Sequence, residues 1–322
     1  MSDPLVSILV RSIDRPTLSR ALASIAAQDY PNVEAVVVAA SAEHRELPDR
    51  CGRFALRLVR ASRPLARADA ANAALDAARG EWLNFLDDDD ELLPSHVARL
   101  RAALDAEPRF RLAHSASEDR SADGRVLGRY GGRFKPWRQL DTGFFRPHCA
   151  MFARSLVEEG ARFDPAFEIL EDMDFFIQCA ALTPFLFVGE ATTRYYVDAG
   201  DSGAGSGTNR DGGRLRAAFA VLRGKWAALE QRMRATPEFR AEHALYLIEN
   251  GYPDAAAPLV AGLLREDPRS VDGCILQALQ LVARGDLERA KSMIDAIGDE
   301  APRVGDLAQT LDQVRSRIAM MH

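Results

Sequence analysis

The stretch GEWLNFLDDDDELLP, residues 80–94, decides how the chain is read. An apolar run from Trp82 to Leu86 ends in four consecutive aspartates, Asp87 to Asp90. The run has the length and composition of a buried strand. Carboxylates about 5 Å apart repel by roughly 3 kcal/mol at an effective dielectric near 20, so such a cluster is costly unless it is solvated or neutralised. A hard divalent cation, Mn²⁺ or Mg²⁺, neutralises it through oxygen ligands. The alternative is punctuation: Pro94 and the acidic residues before it suit a helix N-terminus. Punctuation accounts for one or two aspartates and leaves the others unexplained.

Upstream, LVSILVRS (5–12) reads as a buried strand. In the segment after it, Leu18, Leu22, Ile25 and Ala26 fall on one helical face that Pro16 helps to start. VEAVVVAAS (33–41) and FALRLVRA (54–61) read as further strands, and 66–79 as an alanine-rich helix. The alternation indicates an α/β sheet of mainly parallel strands flanked by helices, in which ligands bind beyond the carboxyl ends of the strands. From about 110 to 150 the pattern weakens: GRYGGRFKPWRQLDTGFFRPH, rich in Gly, Arg and aromatics, looks like loop, and CAMFARSLV returns to an apolar element. EDMDFFIQCAAL reads as a helix, and FLFVGE and TTRYYV as separate strands. AGDSGAGSGTNRDGG (199–213) holds six glycines in fifteen residues and reads as flexible.

Everything beyond reads as helix, an all-α tail. RLRAAFAVLRGKWAALEQRM carries Leu215, Phe219, Leu222, Trp226 and Leu229 at helical spacing. Residues 34 apart then match: Ala244 with Ala278, Leu245 with Leu279, Gly251 with Gly285, Ala256 with Ala290 and Pro268 with Pro302. Each copy is helix, turn, helix and proline, which resembles the tetratricopeptide repeat, although its aromatic positions are mostly absent. The expected division is 1–212, a connecting helix over 213–236, and two repeats with a capping helix over 237–322. The stripe on the connecting helix is expected to make the tail a fixed extension. The tail's acidic face is then a surface for a protein partner or for a homo-oligomer.

The chain has 322 residues and a formal charge of −6, with nine basic and fourteen acidic residues in 237–322. No basic stripe points to nucleic acid. The most apolar stretch, 175–188, is broken by Gln178, Thr183 and Pro184, so no membrane span is expected. Cys51, Cys149, Cys179 and Cys274 form no CxxC pair and read as reduced core thiols. With no leader at the N-terminus, these features imply a cytoplasmic protein.

Three blocks carry a resemblance. VSILVRSIDRPTLSRALASIAAQDYPNVEAVVV, NAALDAARGEWLNFLDDDDELLPSHV and RFDPAFEILEDMDFFIQCA together resemble family 2 glycosyltransferases, in order and spacing, across about residues 4–200. The resemblance implies a nucleotide-sugar-binding fold of the GT-A type and inverting chemistry. It implies that Asp87 and Asp89 are the Asp-x-Asp pair. Asp89 is then the direct metal ligand, with Asp87 as a second, and Asp87 or Asp88 lies nearer the donor ribose. It places Arg11, Ser12, Asp14 and Arg15 in the nucleotide-binding loop and Arg67 within reach of a phosphate, although Arg67 reads equally well as a solvated helix charge. It assigns the general base to the Glu-Asp pair, Asp172 first and Glu171 next, and leaves Asp174 as a helix-dipole residue. His148 falls where the acceptor pocket is expected.

The sequence departs from that pattern twice. The second strand ends Ala39-Ala40-Ser41 where the family commonly carries Asp-Asp, so a uracil N3–H needs another acceptor. No histidine lies between 149 and 242 to complete a metal site, and Asp198 and Asp201 are the available substitutes. The glycine-rich segment is expected to fold over bound donor. Two other readings compete. A nucleotidyltransferase also uses carboxylates and metal, but VRSIDRPT has no glycine for a phosphate loop. An adaptor that has lost activity would act through its helical tail.

Overall fold

The computed structural model describes residues 3–135, 138, 140, 146–197 and 212–320. The chain divides into two compact units, 1–225 and 226–322. The first unit begins with β1 (Val6–Ser12), α1 (Leu18–Ala26), β2 (Val33–Ala39), β3 (Arg50–Cys51), β4 (Phe54–Arg60) and α2 (Arg67–Ala77). It continues through β5 (Trp82–Asp87), β6 (Glu91–Leu92), α3 (His96–Ala106), β7 (Leu112–Arg120) and β8 (Val126–Tyr130). A 3₁₀ turn at Pro147–Cys149 leads into β9 (Ala150–Ala153), α4 (Arg154–Glu158), α5 (Glu171–Leu182), β10 (Phe185–Tyr196) and α6 (Gly212–Lys225).

The strands form one sheet in the order β3-β4-β2-β1-β5-β9-β7-β10-β6, with β8 paired to β7. Parallel pairings join β4, β2, β1 and β5, and also β7 and β10. The short strands β3, β6, β8 and β9 attach antiparallel. This is the mainly parallel, helix-flanked sheet expected from the sequence, with an all-helical tail after it.

Alternation along β1 sends Val6, Ile8 and Val10 to one face and Leu9 to the other. The first face packs on α1 and α3 through Leu18, Ile25, Val97 and Leu100. The second packs on α2 and α5, where Phe85, Phe152, Phe163, Phe175 and Phe176 meet. Phe163 and Phe175 stack with ring centroids 4.4 Å apart. Burying these rings on one face, and Leu86 among aliphatic residues on the other, holds β5 at the middle of the sheet.

Two elements differ from the expectation. β7 and β8 lie where the sequence pattern weakens, and only 128–130 of β8 falls in the stretch expected to be loop. β7 (LAHSASEDR) is buried through His114, Ser115 and Ser117 rather than through an apolar run, so its composition does not mark it as a strand. FLFVGE and TTRYYV are one strand, β10, with register shifts against β7 between Val188 and Thr193. β7 runs past both halves and pairs with each, so the irregularity is absorbed without a break.

Buried polar groups tie strands together. His96 links Asn84 Oδ1 at 2.7 Å and Thr192 Oγ1 at 2.6 Å, and Thr192 donates to Ser115 Oγ at 2.7 Å. Burial pushes the His96 imidazole down to about 3, so it stays neutral. Near the start of β1, Ser7 Oγ donates to Glu34 at 2.6 Å and accepts from Gly80 N at 2.7 Å.

In the second unit, α7 (Ala227–Arg234) precedes α8 (Pro237–Glu249), α9 (Pro253–Glu266), α10 (Val271–Ala283), α11 (Leu287–Ile297) and α12 (Asp306–Ala319). The single connecting helix of the sequence reading is two helices, α6 and α7, separated at Trp226, whose φ of −104° leaves the helical range. α8 and α10 begin 34 residues apart, as do α9 and α11. The turns between helix partners use Gly251 and Gly285, at φ 85° and 78°, a left-handed conformation that favours glycine. Ala244, Ala256, Ala278 and Ala290 are fully buried, which lets helices approach closely. All four cysteines are buried and free. Among the described residues no helix is long and apolar enough to cross a membrane.

A Cβ at Gly80 would lie 2.6 Å from Ser7 N and 2.8 Å from Leu5 O, both backbone atoms that cannot turn away. Gly80→Ala should therefore lower stability by about 1–3 kcal/mol, the usual cost of overpacking. Urea unfolding of the two proteins measures it, and an unchanged midpoint would show that the strand shifts freely.

Candidate active site

The parallel register of β1 and β5 sets Arg11 beside Asp87. Arg11 Nε and Nη2 both donate to Asp87 Oδ1, at 3.0 and 2.8 Å, and Nη1 donates to Glu171 Oε1 at 2.8 Å. One guanidinium thus joins the ends of β1 and β5 to the first residue of α5. Leu170, at φ 67°, turns the chain so that α5 starts there. Burial alone would raise the Asp87 carboxyl; Arg11, helped by Arg67, more than reverses this and holds it below the usual carboxylate range.

The other aspartates divide cleanly. Asp88 is fully buried and accepts from Ser12 Oγ at 2.9 Å, Ile13 N at 3.0 Å and Arg15 Nη1 at 2.6 Å. Asp90 is buried as well; it accepts from Tyr196 N at 3.2 Å and lies 3.1 Å from His148 Nδ1. The Asp89 carboxylate has, among the described residues, only Arg15 at 3.9 Å. Burial and then the charges of Asp90 and Asp87 push its carboxyl up to about 7. Asp89 is the carboxylate of the run that the fold leaves uncommitted.

Asp87, Asp89 and Asp90 line a cavity of about 210 Å³ with Arg11, Ser12, Arg15 and Arg67. Ile13, Ala40, Leu65 and Ala70 form an apolar part of its wall, and Tyr195 and Tyr196 of β10 close another side. Arg67 is the first residue of α2, a third exposed, and its Nη1 lies 3.9 Å from Glu171. A guanidinium so loosely held at a helix N-terminus suits a phosphate.

The structure therefore brings together Arg11, Ser12, Arg15, Arg67, Asp87, Asp88, Asp89, Glu171 and Asp172, but sorts their tasks. Glu171 is buried as the partner of Arg11, which leaves it unsuited to accept a proton. Asp172 accepts from Met173 N at 2.8 Å; burial and Glu171 raise its carboxyl to about 6 against the pull of Arg11 and Arg67. Asp174 is paired with Lys225 at 2.9 Å and with Gln178.

Two expected contacts fall elsewhere. Asp14, at φ 67°, accepts from Arg45 N and pairs with the Arg45 guanidinium at 3.2 Å, off the cavity wall. His148, expected at an acceptor, is 1% exposed against Asp90. Burial alone would lower the His148 imidazole, but Asp90 pushes it up to about 10, so it serves as a buried counter-charge. Tyr195 and Tyr196 were read only as strand residues. Their place just before the glycine-rich segment was the available signal. Asp198, Asp201 and nearly all of the glycine-rich segment lie outside the described residues.

Among the described residues, no group of three or more His, Cys, Asp or Glu is arranged to hold a metal ion alone. Asp89 does suit a divalent cation that takes one protein carboxylate and completes its shell with ligand phosphates and water. Asp87 suits it less, because its oxygens already face Arg11.

Residues 7–160 match the family model for glycosyl transferase family 2. That range holds β1 to β9 and the whole aspartate run, and it is a little under half of the chain. The chain is 30% identical over 191 residues to an uncharacterized protein of Sinorhizobium fredii, covering 55% of this chain and 20% of that protein. It is 21% identical over 192 residues to an uncharacterized glycosyltransferase of Methanocaldococcus jannaschii, covering 56% of this chain and 66% of the relative. The crystal structure of S. aureus TarS aligns over 97% of this chain and 53% of its own, at 14% identity and a TM-score of 0.49. The matches thus span less than two thirds of each of these proteins.

Asp89 supplies a pH test. Its folded value near 7 lies above the ordinary 3.8, so the folded protein holds a proton that the unfolded chain releases between those values. Folding stability from this group is therefore lost as pH rises from about 4 to 7. Without metal, Asp89→Asn should match the parent at pH 4 and exceed its melting temperature at pH 8. An equal difference at both values would contradict the raised carboxyl.

Proposed function

We propose that the first unit is a metal-dependent, inverting glycosyltransferase that moves a sugar from a nucleotide-sugar donor to a hydroxyl of a glycan, small-molecule or protein acceptor. The observation that carries the proposal is the pairing of one uncommitted carboxylate, Asp89, with the loosely held Arg67 on a single cavity wall. The family match over residues 7–160 supports glycosyl transfer.

In this reading Arg67 and Arg15 face the donor diphosphate, and Arg11 keeps Asp87 and Glu171 fixed while the ligand enters. Asp89 would hold Mn²⁺ or Mg²⁺, which when bound supplies positive charge against the leaving diphosphate. Asp172, with its carboxyl near 6, is ionised at neutral pH and still basic enough to accept a proton. It takes the acceptor hydroxyl proton as that oxygen bonds to the anomeric carbon. The bond from that carbon to the diphosphate oxygen breaks, and its electron pair leaves with the nucleoside diphosphate. Attack opposite the leaving group inverts the centre. The second unit, with its 34-residue spacing and buried alanines, fits a tetratricopeptide-like array whose role is to bind a protein partner or a second copy.

Asp89→Ala should abolish Mn²⁺-dependent stabilisation by nucleotide sugars in thermal shift, leaving the metal-free melting temperature at least as high as the parent's. Undiminished donor stabilisation would remove Asp89 from the site. Asp172→Asn should keep donor affinity and lose about 10²–10⁴ in turnover. The parent's kcat should fall below an apparent pKa near 6, the value of the ionised base. A parent rate that stays flat from pH 5 to 8 would reassign the base.

A further inference from the structure

The cavity crosses the sheet from the end of β2 (Ala40), over β1 (Ser12, Ile13), to the aspartates after β5. Its charged groups, Asp89 and Arg67 among them, take the phosphates and metal. On the proposed reading, the β2 side is left for the nucleobase. There the wall is Ile13, Ala40, Leu65 and Ala70.

Ile13 is 48% exposed, one of few large apolar side chains the fold leaves open to solvent. The hydroxyl of Ser12, the amide of Ile13 and the backbone of Ala40, which flank it, already have partners. Ser12 Oγ donates to Asp88 and accepts from Asp14 N, and Ile13 N donates to Asp88. Ala40 N donates to Ser12 O at 2.8 Å, and Ala40 O accepts from Leu65 N at 2.9 Å. A base entering here meets aliphatic surface and satisfied backbone.

We infer that Ile13 and Leu65 hold the nucleobase by apolar contact alone, so that purine and pyrimidine diphosphates are accepted with little discrimination. The consequence has a scale. A site that hydrogen-bonds a ligand group rejects analogues lacking it by about 10⁴–10⁵, whereas an apolar pocket separates similar ligands by only about 10–200-fold. Donor choice then resides in the diphosphate and the sugar.

The test is calorimetric binding of UDP, dTDP, CDP, GDP and ADP to the full chain with Mn²⁺, with inorganic diphosphate as the probe that lacks a base. The nucleoside diphosphates should agree within about 100-fold, and a wider preference for one base overturns the inference. Ile13→Ala should weaken all of them by a similar factor, about three- to tenfold, and leave inorganic diphosphate unchanged. Leu65→Ala, checked for an unchanged melting temperature, should do the same. If both variants bind every nucleoside diphosphate like the parent, the base sits elsewhere and the inference fails while the glycosyltransferase reading stands. If neither nucleoside diphosphates nor inorganic diphosphate bind, that reading fails and takes the inference with it.

Discussion

The site depends on Arg11. Its guanidinium faces two carboxylates, Asp87 and Glu171, which come from sequence positions 84 residues apart. Without it, the end of β5 and the start of α5 would place buried like charges side by side, and leaving one uncompensated costs several kcal/mol. With it, three elements are fixed at once. The planar fork of arginine suits this, since two donors meet Asp87 while a third reaches Glu171; a lysine ammonium lacks that geometry.

Around that bridge the fold neutralises the aspartate run by assignment. Asp88 is taken by Ser12, the Ile13 amide and Arg15, and Asp90 by His148 and the Tyr196 amide. Burial, and then the repulsion that these do not absorb, raise the carboxyl of Asp89. A cation placed there gains the attraction of a cluster whose assembly was already completed in folding. Asp172 stands behind the same bridge, raised to about 6 by burial and by Glu171. Two carboxylates of the site, Asp89 and Asp172, therefore have acidities shifted toward neutrality.

Most of the sheet was legible in the sequence because β1, β2, β4 and β5 are apolar runs with turn residues between them. β7 was not, because His114, Ser115 and Ser117 are buried through hydrogen bonds and ring contacts that composition does not record. The aspartates announced a site, yet the resemblance could not say which of the four were spoken for. That depends on partners far away in the chain, Arg11 and His148 above all. His148 looked like a lone polar residue beside an apolar segment; only the position of β9 between β5 and β7 sets it against Asp90. The helical tail was readable from its 34-residue period, whereas the break at Trp226 has no composition signal.

The aspartate run has a consequence for how the gene can change. Exchanging one aspartate for another leaves the sequence identical, but removing one residue from the run slides the residues after it by one position. Because the run is uniform, three of its positions would still carry aspartate after such a deletion, while Asp90's place beside His148 would be taken by Glu91. A point substitution in this stretch touches one pairing, while a single-codon deletion replaces the aspartate beside His148 and also draws in the link from β5 to β6, which pairs with β10. Lineages carrying this site should therefore vary in the letters flanking the run and hold its length constant.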